Sequence, residues 1–363
     1  MFDILEKLVA VDTTTAKDTL AAVEFVRDFL AARGAVVRLI YNIEKNRASL
    51  FATIGDVNVP GVVLSGHLDT VPTDEAGLCL RRDGGRLYGR GTVDMKGAIS
   101  VALSLVDEMA ASGKTFHFAF THDEEIGSAS IKELVGDAGV KKALANSIGC
   151  MVMEATRNKI VIGQKSAAHG RIEVDGVAAH SSDPSRGVNA LRHAVNIYEI
   201  FYEVMDSVRG RTDPMFAVPH SVGDICQMSG GRAMNVIPDY AKIDYLCRFL
   251  DEEEQGRFFD ALNARIENYP RGANGLSVRH VRGNTLPGFD TPADNPFAKK
   301  MLQIAPLADE PKVSYGTEAG YFSNMGIPVV VFGPGNIAQA HAADEFIEIS
   351  ELEIFRDMLR KLI

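Results

Sequence analysis

Short, uninterrupted apolar runs alternate with segments of helical periodicity along the first part of this chain. The apolar runs lie at residues 36–40, 48–54, 61–64, 116–120 and 148–153. Between them, apolar side chains recur at helical spacing over residues 15–33 and 99–112. Strands that are buried on both faces have continuous apolar sequences, and helices that alternate with them cover a parallel sheet. The pattern therefore predicts an α/β fold with a mainly parallel sheet covered by helices.

A different pattern begins near residue 166. The segments 170–176 and 242–248 alternate apolar and polar residues, as strands exposed on one face do, and amphipathic stretches follow them. This predicts a small α+β domain whose sheet is covered on one face by two helices. Since 363 residues exceed what one core usually supports, two domains are expected. We expect residues 1–165 and 284–363 to form one domain and residues 166–283 to be an insertion in it.

Three helices are predicted in more detail. The first inserted helix should bury one stripe of apolar residues, namely Leu191, Val195, Tyr198, Phe201 and Met205. The second should begin with a solvated acidic turn at residues 251–254, because negative charge suits the start of a helix. A capping box formed by Ser350 and Glu353 predicts the start of a final helix.

Composition limits the class of protein and of partner. The chain is 46% hydrophobic and 24% charged, as ordinary globular proteins are, and no apolar stretch is long enough to span a bilayer. A net charge of −10 argues against nucleic acid and anionic membranes as partners. Four widely spaced cysteines predict reduced thiols rather than a disulfide framework. Since the N-terminus has neither the basic nor the apolar region of a signal peptide, we expect a cytoplasmic protein.

Five segments carry side chains that suit metal ligation or proton transfer. They contain, in chain order, His67 with Asp69, Asp94 in a glycine-rich loop, Glu124 with Glu125, Glu154, and His341. Four of the five follow predicted buried strands, and for His341 this strand is the apolar run at residues 328–332. The carboxyl ends of parallel strands meet at one edge of a sheet, where open α/β sheets bind their ligands. We therefore expect these side chains to converge.

The residue types of this set indicate a catalytic metal site. Two histidines and three carboxylates, without a thiolate, suit Zn²⁺, Mn²⁺ or Co²⁺. If one carboxylate bridges two ions, each ion has three protein ligands and keeps a position for water, as in two-metal hydrolases. Another carboxylate must stay off the ions to move protons, and Glu124 and Glu125 can divide these tasks. A structural His-x-Asp pair, a surface acidic cluster or an incomplete phosphate loop at residues 89–91 would explain single segments but not all five.

Three motifs together resemble those of the M20 family of co-catalytic zinc peptidases and amidohydrolases. They are Gly66-His-Leu-Asp-Thr-Val-Pro72, Gly89-Arg-Gly-Thr-Val-Asp-Met-Lys-Gly97 and Asp123-Glu-Glu-Ile-Gly127. The resemblance implies two divalent cations, Zn²⁺ first and Co²⁺ or Mn²⁺ as alternatives. It also implies a catalytic α/β domain with an inserted lid that commonly dimerises, in agreement with the insertion expected above.

The same resemblance implies a role for each residue of the set. One ion takes His67 and Glu154, the other takes Glu125 and His341, and Asp94 bridges them. Glu124 resembles the general acid/base of the family, and Asp69 resembles the residue that orients His67.

Three further motifs resemble those of the acetylornithine deacetylases, a subgroup of this family. They are Ala179-His-Ser-Ser-Asp-Pro184, Tyr315-Gly-Thr-Glu-Ala-Gly320 and Gln339-Ala-His341-x-x-Asp344-Glu345-Phe346. By this resemblance, His180 polarises the scissile carbonyl, either in its own active site or in that of a partner subunit. The residues implied to bind the substrate are Asn235, Arg248, Gly316 and Thr317. The planar fork of Arg248 would match a carboxylate, although a surface position on a strand explains this arginine equally well.

The resemblance thus implies a hydrolase that cleaves the amide bond of an N-acyl amino acid. N-acetylornithine, cleaved to ornithine and acetate in arginine biosynthesis, is the expected substrate. Succinyl-diaminopimelate desuccinylase and M20 dipeptidase or carboxypeptidase are the alternatives within the family. A non-catalytic binding protein on the same fold predicts a missing ligand or base, and none is missing. The expected partners are a small N-acyl amino acid and a second copy of the chain, with no nucleic acid and no membrane.

Overall fold

The computed structural model describes residues 1–15, 17–270 and 275–363 of the chain. These residues form two compact units. The large unit consists of Met1–Gly163, Phe289–Val313 and Thr317–Ile363, and the small unit consists of Gln164–Gly288 and Ser314–Gly316. The small unit is therefore built almost wholly from a segment that is internal to the chain.

The first stretch of the chain alternates strands and helices. Its helices are α1 (Phe2–Val9), α2 (Leu20–Ala31), α3 (Lys96–Ser104), α4 (Val106–Ala111), α5 (Ala129–Gly136) and α6 (Ala138–Leu144). Its strands are β1 (Val36–Tyr41), β2 (Ala48–Ile54), β3 (Gly61–His67), β4 (Arg81–Asp83), β5 (Arg86–Tyr88), β6 (Thr115–Thr121), β7 (Ser147–Val152) and β8 (Gly163–Gln164). Short 3₁₀ helices lie at Glu75–Leu78 and Glu124–Ile126.

The small unit and the last stretch of the large unit follow. The small unit contains β9 (Ser166–Asp175), α7 (Ala190–Val208), β10 (Val222–Gly230), β11 (Tyr240–Phe249), α8 (Glu252–Glu267) and β12 (Ser277–Leu286). The last stretch contains β13 (Phe289–Asp290), α9 (Pro296–Leu302), β14 (Lys312–Val313), α10 (Ala319–Ser323), β15 (Val329–Val331), β16 (Phe346–Glu348) and α11 (Ile349–Arg360). Further 3₁₀ helices lie at Pro184–Arg186 and Ile337–Gln339. Within the described residues, no helix combines the length and the apolar character that crossing a bilayer requires.

A six-stranded sheet in the order β1-β2-β6-β3-β7-β15 organises the large unit. Strands β6, β3, β7 and β15 pair in parallel, whereas β1 and β2 add antiparallel pairs at one edge. Every residue of β2, β3 and β6 is buried, since helices that include α2, α3 and α5 pack on the sheet. The predicted α/β fold with a mainly parallel sheet is confirmed.

The sheet of the small unit has the order β10-β11-β9-β12, and all its neighbouring strands are antiparallel. Helices α7 and α8 pack against this sheet, and alternate residues of β11 are buried. Aromatic rings fill the space between helices and sheet: the ring of Phe201 lies 5.1 Å from that of Tyr245 and 5.6 Å from that of Phe258. The alternating sequence pattern thus corresponds to a sheet with one face against two helices.

Helix α7 buries a different stripe from the predicted one. Its buried residues are Ala190, Ala194, Ile197, Phe201, Val204, Met205 and Val208. Of the predicted stripe, Phe201 and Met205 are buried, whereas Leu191 is half-buried, Val195 is 54% exposed and Tyr198 is 37% exposed. The prediction is wrong for Val195 and Tyr198, whereas Leu191 packs partly against the core of this unit. We call these three residues the outer stripe. The helix is apolar on two adjacent faces, and periodicity alone does not show which of them meets the sheet.

Three other helix predictions are wrong in detail. The acidic turn does cap α8, with Asp251 accepting a hydrogen bond from the Glu254 amide at 2.8 Å, but Glu254 is buried and its carboxylate accepts a hydrogen bond from Ser221. Helix α11 begins one residue before the predicted capping box, and Glu348, its N-cap, makes no side-chain capping bond. The single helix expected over residues 99–112 is interrupted at Leu105, between α3 and α4.

Candidate metal centre

Three neighbouring strands of the large unit bring candidate ligands to one edge of the sheet. His67 is the last residue of β3 and pairs in register with Thr121, the last residue of β6. Glu124 and Glu125 follow β6 in a 3₁₀ turn, and Glu154 follows the end of β7 by two residues. Because β3 runs parallel to both β6 and β7, all these side chains leave the sheet from carboxyl ends of strands. This is the edge at which open α/β sheets bind ligands.

Asp94 joins the candidates into two groups. In the first group, His67 Nε2 lies 2.8 Å from Asp94 Oδ1 and 3.5 Å from Glu154 Oε1. In the second group, His341 Nε2 lies 3.3 Å from Asp94 Oδ2 and 3.0 Å from Glu125 Oε2. The ligand atoms of each group lie within 4.8 Å of one another. The two oxygens of Asp94 therefore face different groups, and each group has room for one cation.

One ring nitrogen of His67 is engaged by the protein backbone. Its Nδ1 donates a hydrogen bond to the main-chain oxygen of Asp69 at 2.9 Å, whereas Asp69 Oδ1 lies 3.6 Å away. This bond directs Nε2 at Asp94 and Glu154. Histidines that bind metals commonly donate their other nitrogen to a carbonyl or carboxylate, which fixes the ring and its tautomer.

The carboxylate of Asp69 instead holds the turn that follows β6. Asp69 is fully buried. Its Oδ1 accepts a hydrogen bond from the Glu124 amide and its Oδ2 accepts one from the Glu125 amide, both at 3.2 Å. One aspartate therefore positions His67 through its backbone and the pair of glutamates through its side chain.

The glycine-rich loop reaches the site through a close backbone approach. Gly91 has a φ of +82°, and a Cβ at this residue would lie only 2.9 Å from Lys96 Cδ. Lys96 is buried and donates a hydrogen bond to the main-chain oxygen of Val11 at 3.1 Å. Burial lowers the pKa of its ammonium group to about 8. A side chain at residue 91 would displace this lysine and the loop that carries Asp94.

Two buried carboxylates beside the site are absent from the sequence-based set. Glu345 lies next to the loop that carries Asp94, with its Oε2 2.9 Å from Arg90 Nη1. Burial raises the pKa of Glu318 well above its usual range, and Glu318 Oε1 has no hydrogen-bond partner among the described residues. The position of Arg90 between two glycines could have indicated that a buried carboxylate lies nearby, because a buried arginine requires a carboxylate. Nothing in the local sequence shows that its partner lies 255 residues later.

The charges of the site fit divalent cations. Burial raises the pKa of Glu125 to about 7, and burial together with the charge of Asp94 raises the pKa of Glu154. Burial also opposes ionisation of Asp94, but hydrogen bonds from His341 and His67 outweigh it and lower its pKa. Glu125 Oε1 is buried without a partner in the part of the chain that the structure describes. A cation in the second group would lie beside the Glu125 carboxylate, and a cation in each group would relieve the repulsion among the carboxylates. Imidazole with carboxylate is a donor set for Zn²⁺, Mn²⁺ or Co²⁺.

Glu124 lies beside both groups and belongs to neither. Burial raises the pKa of its carboxyl group well above the usual range; the nearby His67 acts against this shift, and Glu154 adds to it. A carboxyl group with a raised pKa is a stronger base when ionised, and it can accept a proton and later release it. Glu124 is thus set apart from the carboxylates of the two ligand groups.

His180 and Asn235 lie together in the small unit. His180 forms an isolated antiparallel bridge with Val236, and the Asn235 main-chain oxygen accepts a hydrogen bond from the Ser181 amide at 3.0 Å. The ring of His180 is exposed, with Nδ1 2.7 Å from Ser182 Oγ. Its other ring nitrogen thus remains open to a ligand.

Arg248 and Gly316 form a second pair in the small unit. A Cβ at Gly316 would lie 3.4 Å from Arg248 Nη1. Arg248 is half-buried, and burial lowers the pKa of its guanidinium. Thr317 belongs to the large unit, where its buried hydroxyl accepts a hydrogen bond from the Ala319 amide at 3.1 Å.

Curated relatives resemble this chain over nearly its whole length. An acetylornithine deacetylase from Proteus mirabilis is 28% identical to it, over 98% of this chain and 92% of its own. An acetylornithine deacetylase from Myxococcus xanthus is 29% identical, over 96% of this chain and 92% of its own.

Solved structures share the fold at lower sequence identity. A metallo-carboxypeptidase of the M20 family from Sulfolobus solfataricus is 15% identical with a TM-score of 0.78, and covers 99% of this chain and 97% of its own. A tripeptidase from Staphylococcus aureus is 19% identical with a TM-score of 0.76, and covers 100% and 96%. The sequence profile of the peptidase family M20/M25/M40 matches residues 63–363, a range that includes every residue of both ligand groups. The chain therefore belongs to this family of metallo-hydrolases.

Proposed function

We propose that this protein is a metal-dependent hydrolase that cleaves the amide bond of an N-acyl amino acid, with N-acetylornithine as its substrate. The observation on which the proposal depends is the pair of ligand groups that share Asp94 and have Glu124 beside them. The choice of substrate is supported by the acetylornithine deacetylases that match nearly the whole chain. Ornithine and acetate would be the products.

The two groups would hold two divalent cations, Zn²⁺ by preference. His67 and Glu154 would bind one, Glu125 and His341 the other, and Asp94 both. Such ions supply Lewis-acid polarisation of a carbonyl group and a lower pKa for water. Three protein ligands for each ion leave positions for water and substrate.

Glu124 would transfer the protons of the reaction. It would accept a proton from the attacking water and later release that proton to the leaving amine. Its raised pKa makes the ionised carboxylate a stronger base than that of an ordinary glutamate. Asp69 accepts hydrogen bonds from the amides of Glu124 and Glu125. It would therefore fix the position of the Glu124 carboxylate relative to Glu125, a ligand of the second group.

Arg248 would bind the α-carboxylate of the substrate. Its guanidinium is half-buried, and none of the described residues forms an ion pair with it. A carboxylate ligand would offset this desolvation and match the two parallel N–H bonds of the arginine. We assign further polar contacts with the substrate to Asn235, Gly316 and Thr317, and polarisation of the acyl carbonyl to His180.

We also propose that two copies of the chain associate through their small units. Strand β10 is an edge strand with most of its residues exposed. The outer stripe of α7 lies beside it, since a Cβ at Gly230 would contact Leu191 at 2.8 Å. An exposed sheet edge next to exposed apolar side chains favours pairing with another chain. Edge-to-edge pairing of two copies would cover both features.

A substrate panel tests the proposed activity. Protein loaded with Zn²⁺, Co²⁺ or Mn²⁺ is assayed for free amine released from N-acetylornithine, N-succinyl-diaminopimelate and dipeptides. We expect the highest kcat/KM with N-acetylornithine and loss of activity on chelation. Inert N-acetylornithine together with an active dipeptide would reject the deacetylase assignment and leave the family membership intact.

The matched control substrate is N-acetylputrescine, which differs from N-acetylornithine only by lacking the α-carboxylate. If Arg248 binds that carboxylate, its loss leaves a half-buried charge unpaired. We then expect kcat/KM to fall by at least about 100-fold. Equal turnover of the two compounds would contradict the role given to Arg248.

A further inference from the structure

Glu345 contacts almost the whole loop that leads to Asp94. Its Oε2 accepts hydrogen bonds from Arg90 Nη1 and the Gly91 amide, both at 2.9 Å. Its Oε1 accepts hydrogen bonds from the Val93 amide at 2.8 Å and the Asp94 amide at 3.2 Å. Glu345 is only 2% exposed, so these four donors, rather than water, satisfy its charge.

The backbone of Glu345 adds a fifth bond to the same loop. Its carbonyl oxygen accepts a hydrogen bond from the Gly89 amide at 3.0 Å. Immediately afterwards, β16 pairs with β5, with Phe346 opposite Tyr88. The segment 345–348 is therefore hydrogen-bonded to the segment 86–94.

Glu345 is also the first buried residue after the exposed segment that begins at His341. Residues 341–344 are exposed, and His341 has a φ of +62°, which non-glycine residues seldom adopt. The next residue that is buried is Glu345. The position of His341 relative to Asp94 thus depends on how firmly Glu345 is held against the loop.

The two ligand groups differ in this dependence. His67 ends the buried strand β3, and Glu154 closely follows β7, so the sheet positions the first group. In the second group, His341 lies on an exposed loop, with 54% of its side chain exposed compared with 1% for His67. Loosening of the Glu345 contacts would therefore disturb the second group more than the first.

We infer that Glu345 is a positioning residue that sets Asp94 against His341 and so completes the second cation site. This inference rests on the proposed two-ion centre. Replacement of residues that orient metal ligands commonly weakens metal affinity about 10–100-fold. We expect the larger loss for the ion of the second group, because the ion of the first group shares Asp94 but keeps His67 and Glu154, which the sheet positions.

Two variants of the full chain test this inference. Glu345→Asp keeps the charge that Arg90 requires but shortens the side chain, and Glu345→Gln keeps the length but replaces one acceptor oxygen by a donor. Glu348→Gln is the matched control, since Glu348 lies three residues away with its Oε1 2.7 Å from Arg86 Nε and its side chain 37% exposed. Metal-free protein is titrated with Zn²⁺ by calorimetry and with Co²⁺ by visible absorption.

The expected result is two ions for the wild type and Glu348→Gln, and one tight and one weak ion for both Glu345 variants. The Co²⁺ spectrum of the second equivalent should change as well, which loss of general stability would not produce in a protein that stays folded by circular dichroism. Variants that bind both ions with wild-type affinities, or that lose both equally, would overturn the inference. Failure of both variants to fold would also reject it and leave Glu345 a purely structural role. If the wild type binds fewer than two metal ions, the proposed two-ion centre itself is rejected.

Discussion

At the scale of single residues, the site depends on two aspartates that each contact two parts of it. Asp94 gives one oxygen to each ligand group, and Asp69 holds His67 with its backbone and the Glu124–Glu125 turn with its carboxylate. Because these contacts are shared, the two ligand groups and Glu124 form one geometric unit. Glu124 lies among these acids but belongs to neither ligand group.

Replacement of Glu124 by glutamine should separate chemistry from metal binding. Glutamine keeps the size and the backbone bonds of this residue but cannot accept the proton of the attacking water. We expect kcat to fall by at least about 100-fold, with two ions still bound by calorimetry. The matched control is Glu133→Gln on the exposed side of α5, which should keep wild-type kcat. Wild-type activity in Glu124→Gln would contradict the proton-transfer role.

At the scale of secondary structure, the strand that leads to Glu154 depends on close packing by a helix. Gly149 lies in β7, and a Cβ at this residue would fall 2.2 Å from the ring of Phe297 in α9. Phe297 is 3% exposed, so its ring has little room to move. Glycine at this point lets the helix lie directly against the strand.

An alanine at residue 149 should therefore destabilise the large unit. Forcing an additional carbon into a packed interior typically costs about 1–3 kcal/mol. We expect Gly149→Ala to lower the urea midpoint of unfolding accordingly. Gly136→Ala at the end of α5, where a Cβ would meet nothing within 4 Å, should not lower it. Equal midpoints for Gly149→Ala and the wild type would show that α9 can shift away without cost.

The fold and the site differ in how much of them the sequence predicts. Buried strands such as β2 are recognisable because every residue in them is apolar or small, and the ligands His67, Glu125 and Glu154 follow such strands directly. The contacts of Glu345 and Lys96 could not be predicted, because their partners are distant in sequence or lie in the backbone. Periodicity also could not choose between the two apolar faces of α7, since that choice depends on the sheet it meets.

At the scale of the whole molecule, the outer stripe of α7 is an exposed apolar surface that a second copy of the chain would cover. Val195 and Tyr198 are exposed beside the free edge of β10. A charge in the middle of this stripe would be buried unpaired if two copies associate there. A substitution in this stripe can therefore prevent association of two copies without altering any residue of the metal centre in the large unit.

Val195→Asp should convert a dimer into a monomer. We expect light scattering to give twice the chain mass for the wild type and the single chain mass for this variant, with unchanged circular dichroism. Ile43→Asp is the control, because Ile43 is an apolar residue of the large unit that is 94% exposed, and it should remain dimeric. A dimeric Val195→Asp would contradict the proposed interface. If the monomer also loses activity, His180 acts in the partner's site rather than in its own.

The division of the large unit into three stretches of chain has a consequence for biosynthesis. All of Gln164–Gly288 leaves the ribosome before β15, which completes the central sheet, and before His341, which completes the second ligand group. Domains tend to fold as units while synthesis proceeds from the N-terminus. A nascent chain would thus carry a finished small unit together with an incomplete large one, and the second ligand group would be complete only after His341 has been synthesised.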